Sequence, residues 1–351
     1  MLERGRRHRP RAGRLSAPLE PARPGSAEIG DTVKLTIRAS LSFSIVFCLA
    51  GATVVAGCAG GNSSSKRTRS KPQGALTHSR TARLALIRPD GSGLRILGPA
   101  SNFAAAPAPS WSPDGKKIAF TFQRCPNCAP RISVLLEDGR LQPLRGDAVG
   151  GDPSWSPNGD LIAFTHPEGP EHVLEVFDVA GGSAVEIGTA EHAAHPSWFP
   201  RSDAIVFAAE VQERLQLFRV NPDGTRQRRL TKSGFYDDPA VSADGRRIAF
   251  ACLGKRVAWE LCMLDSHGLR RILRWPGNAR SPAFSPDGRR LAFSSDRGSA
   301  AGARALHVLD LENGKITQLT GRGVDSGEPE WSPNGETIVF ARRRLVEAAA
   351  N

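Results

Sequence analysis

A twelve-residue phrase recurs six times in this chain, and its spacing leaves little choice of fold. It reads Pro-Ser-Trp-Ser-Pro-Asp-Gly-Lys-Lys-Ile-Ala-Phe at Pro109 to Phe120. It returns at Pro153 to Phe164, Pro196 to Phe207, Pro239 to Phe250, Pro282 to Phe293 and Pro329 to Phe340. Measured at the aromatic slot (Trp111, Trp155, Trp198, Val241, Phe284, Trp331), the steps are 44, 43, 43, 43 and 47 residues. A fixed period of this size, built from short strands, is what stacked propeller blades produce.

Each phrase contains its own turn. In Ser112-Pro113-Asp114-Gly115, Pro presets φ, Asp can bond the local backbone and Gly supplies the positive φ. The apolar residues on either side make the two arms of a hairpin. A second hairpin follows every copy but the last, as in 215–231 and 305–320, where Asp-Gly or Asn-Gly turns sit between alternating apolar residues. One repeat is therefore one four-stranded antiparallel blade. The run Ile118-Ala119-Phe120 is apolar throughout, so both faces of the sheet should be covered by neighbouring blades.

The ends of the repeat array are offset by half a blade. An outer hairpin, about Arg83 to Leu97, precedes the first phrase, and none follows the last, Pro329 to Arg343. The expected fold is all-β: a six-bladed β-propeller over 82–346, closed where the N-terminal outer hairpin joins the C-terminal inner hairpin. Closure removes free sheet edges, and a monomer is expected, with residues 347–351 as a short tail.

Trp111 and Ser112-Pro113-Asp114-Gly115, followed by Ile118-Ala119-Phe120, resemble the WD40-like repeat of the TolB-like propeller family. The resemblance spans almost all of 82–346. It implies a bacterial cell-envelope protein that binds other proteins. The sequence departs from that family in two ways. Only 23 residues separate Cys58 from Ala82, too few for the N-terminal α/β domain of TolB. Copies three and four are degenerate, reading Phe199-Pro200-Arg201-Ser202 and Ser242-Ala243-Asp244-Gly245.

The N-terminus reads as an address. Lys34 and Arg38 precede an uncharged, mostly apolar run over 39–57 that ends in Val55-Ala56-Gly57-Cys58. That order describes a signal peptide over 33–57. Its ending resembles a bacterial lipobox, which implies lipidation of Cys58 and export to the outer side of the cytoplasmic membrane or the periplasm. An uncleaved membrane anchor is the alternative reading of the same run. Residues 1–32, rich in Arg and Pro, fit no secretory signal and read as an over-extended or disordered leader. Residues 58–81 form a tether.

The net charge is +12, of which residues 1–57 supply nine Lys/Arg and four Asp/Glu. The remaining basic residues cluster at hairpin turns rather than along one stripe, so nucleic acid is not an expected partner. Beyond Cys48 and Cys58, four cysteines form two local pairs. Cys252 and Cys262 flank one turn and can be bridged across it. Cys125-Pro126-Asn127-Cys128 lies between strands rather than at a helix start, which favours a structural disulfide over a redox pair.

The phrase also marks a site. The residue just before each Pro should ring the channel mouth: Ala108, Asp152, His195, Asp238, Ser281 and Glu328. These carboxylates and the His could meet a basic group on an envelope protein or extracellular ligand. Alternatively, Asp152, His195 and Asp238 could hold a divalent cation, the one cofactor the sequence suggests. His192, Asp237 and the loop 166–172 should lie on the same side. No Gly-x-Ser-x-Gly nucleophile motif, phosphate loop or paired-histidine helix motif is present. The expected function is a membrane-anchored binding platform. The alternatives are a metal-dependent lyase or hydrolase acting on glycans at the mouth, and a purely structural envelope protein.

Overall fold

The computed structural model describes residues 76–101, 107–125, 127–144, 148–168, 171–187, 192–298, 302–321 and 323–347. The leader, the signal segment, Cys58, the tether up to residue 75 and the tail from 348 lie outside the described residues. Among the described residues there are strands and turns but no helix, and hence none long and apolar enough to cross a membrane.

Six four-stranded antiparallel sheets form six blades. Five are continuous in sequence; blade 1, for example, runs through Ser110–Trp111, Lys117–Phe122, Arg131–Leu136 and Leu141–Pro143. The sixth is composite. Leu76–Ile87 and Arg95–Ser101 add to Val324–Trp331 and Ile338–Glu347, so the first and last parts of the chain share one sheet. The closing strands run slightly past the expected 82–346. Leu76 pairs with Glu347, Thr77 with Val346 and His78 with Leu345, so residues 76–81 extend the sheet rather than the tether. Pairing there lets the two backbones satisfy each other's hydrogen-bonding groups in place of water.

The six apolar clusters each draw on two adjacent blades. The phrase Phe residues are the anchors: Phe164, Phe250, Phe293 and Phe340 are fully buried, and Phe120 and Phe207 nearly so. Truncating one of these to Ala would cost about 3–5 kcal/mol, because the rigid sheets on either side cannot collapse into the gap. Trp155, Trp198 and Trp331 are buried in the same layers, with Trp111 half-buried. The aromatic slot is therefore blade core.

The turn chemistry is as the phrase implies. The Ser112 hydroxyl donates to Asp114 Oδ1 (2.5 Å) and accepts the Lys117 N–H (2.9 Å). Gly115 takes φ 70°. Ser156 and Ser332 make the same bond to Asn158 and Asn334. In the degenerate third copy, Ser202 occupies the glycine position at φ 57°. A Cβ there carries a steric cost that glycine avoids.

Candidate functional site

The innermost strand of each blade starts at the channel, and each has the same irregularity. Ala108, Asp152, His195, Asp238, Ser281 and Glu328 all have positive φ, between 38° and 53°. In five blades the ladder shifts register across this residue and the following Pro, for instance between Asp237 and Ala240 and between Gly327 and Glu330. The x-Pro pair is a β-bulge on an inner-edge strand, where Pro removes no needed ladder bond. Left-handed backbone in a non-glycine residue costs roughly 1–3 kcal/mol and is concentrated at functional sites. Here it recurs in all six blades. Thr121 and Thr165 brace the blade 2 bulge, through the Asp152 N–H and the Gly151 carbonyl, and Ser294 braces that of blade 5 through the Arg280 carbonyl.

The six positive-φ residues and their prolines enclose one central cavity of 240 Å³, to which every blade contributes. The structure thus places the six residues singled out from the sequence around one mouth. It also supplies charges that the sequence reading missed. Arg280 bonds both Asp238 (Nε to Oδ2, 3.0 Å) and Asp237. Arg304 Nη1 donates to Glu328 Oε1 (3.2 Å) and its Nε to Asp325 Oδ1 (3.2 Å). His195 Nδ1 lies 2.8 Å from Asp237 Oδ1 and 3.2 Å from Asp238 Oδ1, and its Nε2 is 3.9 Å from Asp152 Oδ2. The Ser281 N–H donates to Asp238 Oδ2 (3.0 Å), linking blades 4 and 5.

These contacts set the charge states. Burial works against a charged His195, but Asp237, Asp238 and Asp152 outweigh it and raise its pKa well above the usual value, so it is an imidazolium at neutral pH. Asp237 is also penalised by burial, yet His195 and Arg280 hold its carboxyl far below the usual range. Glu328 is lowered in the same way by Arg304 and His195. Burial raises Asp152, with His195 pulling in the opposite direction. Five acidic groups (Asp152, Asp237, Asp238, Asp325, Glu328) thus face His195, Arg280, Arg304 and, further back, Arg343, so acids outnumber cations by one at the mouth.

His195 Nδ1 and one oxygen each of Asp237 and Asp238 lie within 4.8 Å of one another, a spread one cation could span. Asp237, not Asp152, completes this trio, and Arg280 already holds the second oxygen of each carboxylate. The loop 166–172 contributes His166, whose Nδ1 donates to the Val149 carbonyl (2.8 Å), and His172, whose basicity is lowered mainly by burial. His192 Nε2 lies 3.9 Å from Glu210. Asp296 accepts the Asn278 N–H (2.7 Å), and Arg297 lies over Trp275. Both cysteine pairs are disulfides, Cys125–Cys128 and Cys252–Cys262.

A second ring lies one residue deeper, at the position after each Pro. The Ser110 hydroxyl accepts the Trp155 N–H (2.9 Å) and the Ser197 hydroxyl the Val241 N–H (3.2 Å), each bond stepping to the next blade. At the seam between blades 6 and 1 this position is Glu330, whose carboxylate accepts the Trp111 N–H (2.7 Å). Burial pushes its pKa up to about 8.

No curated protein sequence matches the chain. Solved structures match its fold. TM-score is 0.63 with a protein assigned as TolB from Agrobacterium tumefaciens, at 19% identity over 78% of this chain and 100% of the other. TolB from Acinetobacter baumannii gives 0.53 at 19% identity, over 76% of this chain and 64% of the other. Hydrazine synthase from Kuenenia stuttgartiensis gives 0.52 at 14% identity, over 83% and 100%. Such different proteins share the scaffold, so the fold by itself does not assign a function. At the sequence level the TolB beta propeller domain matches residues 75–242 and 236–347, nearly the whole propeller. The chain belongs to the TolB beta propeller domain family.

Proposed function

We propose that this chain is an exported propeller of the bacterial cell envelope that binds a protein or extracellular ligand at its central mouth. One observation carries the reading: six left-handed residues, one per blade, hold a charged, hydrogen-bonded network around a 240 Å³ cavity. A scaffold needs no such repeated backbone cost merely to close a ring. The excess of acidic groups over cations at the mouth suits a basic group on the partner. The TolB structures support an envelope role. The leader sequence ending at Cys58 supports export with a lipid anchor.

A photo-crosslinking residue placed at Ala108 in the native envelope should trap a discrete partner. The same residue at Lys116, on the opposite face, should not. Identical adducts at both positions, or none at Ala108, would overturn the reading. Replacing Cys58 by Ala should release the protein from the membrane fraction; persistent membrane attachment would refute the lipid anchor.

The trio His195, Asp237 and Asp238 carries a second reading, a divalent cation at the mouth serving chemistry on glycans. A cation would compete there with the imidazolium and with Arg280. Stoichiometric metal in the purified protein, lost on Asp238→Asn, would favour it over the platform.

A further inference from the structure

Away from the axis lies a second cavity of 860 Å³. One wall is the hairpin loop of blade 4, Lys255 to Ala258. The other is the connector to blade 5, Arg274 to Gly277. Lys255, Arg256 and Arg274 are exposed on these walls, and no ion pair to any of them is found among the described residues. Arg271 lines the cavity too but is paired with Glu260. Half-buried Trp275, beside Pro276, gives the groove an apolar surface.

The walls are fixed in place. The Cys252–Cys262 disulfide ties the base of the hairpin, and the Gly254 N–H closes its loop on the Ala258 carbonyl (2.8 Å). In the connector, the Asn278 N–H and Nδ2 donate to the two oxygens of Asp296 (2.7 Å each). Trp275 Nε1 donates to Ser295 Oγ (2.9 Å), with the Arg297 guanidinium 4.2 Å from the ring centre. A pre-organised groove spends little binding energy on ordering itself. It also adjoins the mouth. Asn278 Oδ1 accepts the Trp259 N–H (3.0 Å), and Trp259 carries Arg280 stacked at 4.5 Å.

The surrounding charge is strongly one-sided. Residues 213–297 hold 17 Lys/Arg against nine Asp/Glu, whereas residues 146–200 hold nine Asp/Glu and no Lys or Arg. The groove sits in the basic sector. We infer that the groove between blades 4 and 5 docks an acidic protein segment, separately from the mouth. Cations on both walls match carboxylates along an extended chain, and Trp275 with Pro276 offers apolar contact between them. A concave cleft of this volume fits a chain segment better than a flat lipid surface.

The test is fluorescence anisotropy of a fluorescein-labelled peptide of alternating Glu and Pro against the purified propeller. Saturable binding is expected, falling steeply with salt, and absent for a Lys-Pro peptide. Arg256→Glu combined with Arg274→Glu should weaken it about tenfold or more, since both wall cations become repulsive. Lys255→Glu alone should weaken it a few-fold. Arg226→Glu with Arg228→Glu, on the outer part of blade 3, should leave it unchanged. Circular dichroism checks that each variant folds. The inference fails if the acidic peptide does not bind saturably, or if both double reversals weaken it equally. It also fails if the reversal abolishes binding only to vesicles containing phosphatidylglycerol. Self-association in sedimentation that the same reversal removes would assign the groove to a second copy and overturn it as well.

Discussion

Replacing Glu330 by glutamine should stabilise the propeller, and by an amount that depends on pH. Glu330 stands where blades 1 to 3 have serine, and its carboxylate receives the Trp111 N–H across the seam. Burial pushes its pKa from the usual 4.5 up to about 8. A carboxyl with a raised folded pKa binds more protons folded than unfolded. Its contribution therefore favours folding most at low pH and declines as pH rises from about 4.5 to about 8. At pH 7 the gap of about 2.5 pH units corresponds to at most about 3.4 kcal/mol, at 1.36 kcal/mol per unit. Glu330 lines the open channel, so water reaches it and about 2 kcal/mol is the more realistic figure. Glutamine keeps an oxygen for Trp111 and has no charge to bury. Urea unfolding followed by tryptophan fluorescence should show Glu330→Gln nearly equal to the native protein at about pH 5 and about 2 kcal/mol more stable at about pH 7. Glu330→Ala is the control: it leaves the Trp111 N–H without its acceptor and should forgo about 1–3 kcal/mol of that gain. If the difference between the Gln variant and the native protein is constant across this range, the carboxyl ionises normally and the reasoning is refuted.

Arg280→Met should destabilise the fold by about 3 kcal/mol, because it leaves Asp237 and Asp238 buried without their guanidinium; an unchanged urea midpoint would contradict this. Arg280→Lys should restore only part, since an ammonium cannot span both carboxylates. His195, with its raised pKa, stabilises the fold fully below pH 6.5, and the contribution is lost only as pH rises through its elevated folded value. NMR titration should accordingly find its imidazolium intact at pH 7, and ordinary titration near 6.5 would rule the network out. Gly150→Ala should fail to fold well, because a Cβ would lie 2.2 Å from the Thr165 carbonyl oxygen; a native-like melting temperature would show that the backbone gives way there.

Much of this molecule was legible because its instructions are periodic. The Ser-Pro-Asp-Gly turns, the buried Phe and Trp layers and the half-blade offset each follow from residues that recur at one slot, and the structure builds blades from them. The residues before each Pro could be assigned to one rim for the same reason. Their left-handed backbone could not, because nothing in an Asp-Pro or His-Pro pair signals a bulge; the preference before Pro is for extended backbone. Arg280 and Arg304 escaped notice because each breaks the repeat. Arg280 stands where other copies have Gly151, Ala194, Asp237 or Gly327, and Arg304 enters from the start of a third strand. Charge partners that meet across blades leave no trace in the spacing of any single blade.

The shared sixth blade also bears on how the chain is made. Among the blade strands, those in 76–101 are synthesised first, yet their partners in 324–347 come last. During synthesis the opening hairpin has no sheet to join, and contacts between the two ends close a loop as long as the propeller itself, which makes completion slow. The emerging chain therefore exposes the hairpin's apolar face until the end, a window in which chaperones or misassembly can act. Once closed, Leu76 and Glu347 are neighbours. The polypeptide could be joined there and reopened at a different turn, such as the one at Gly139, where no atom crowds the glycine, without disturbing any blade.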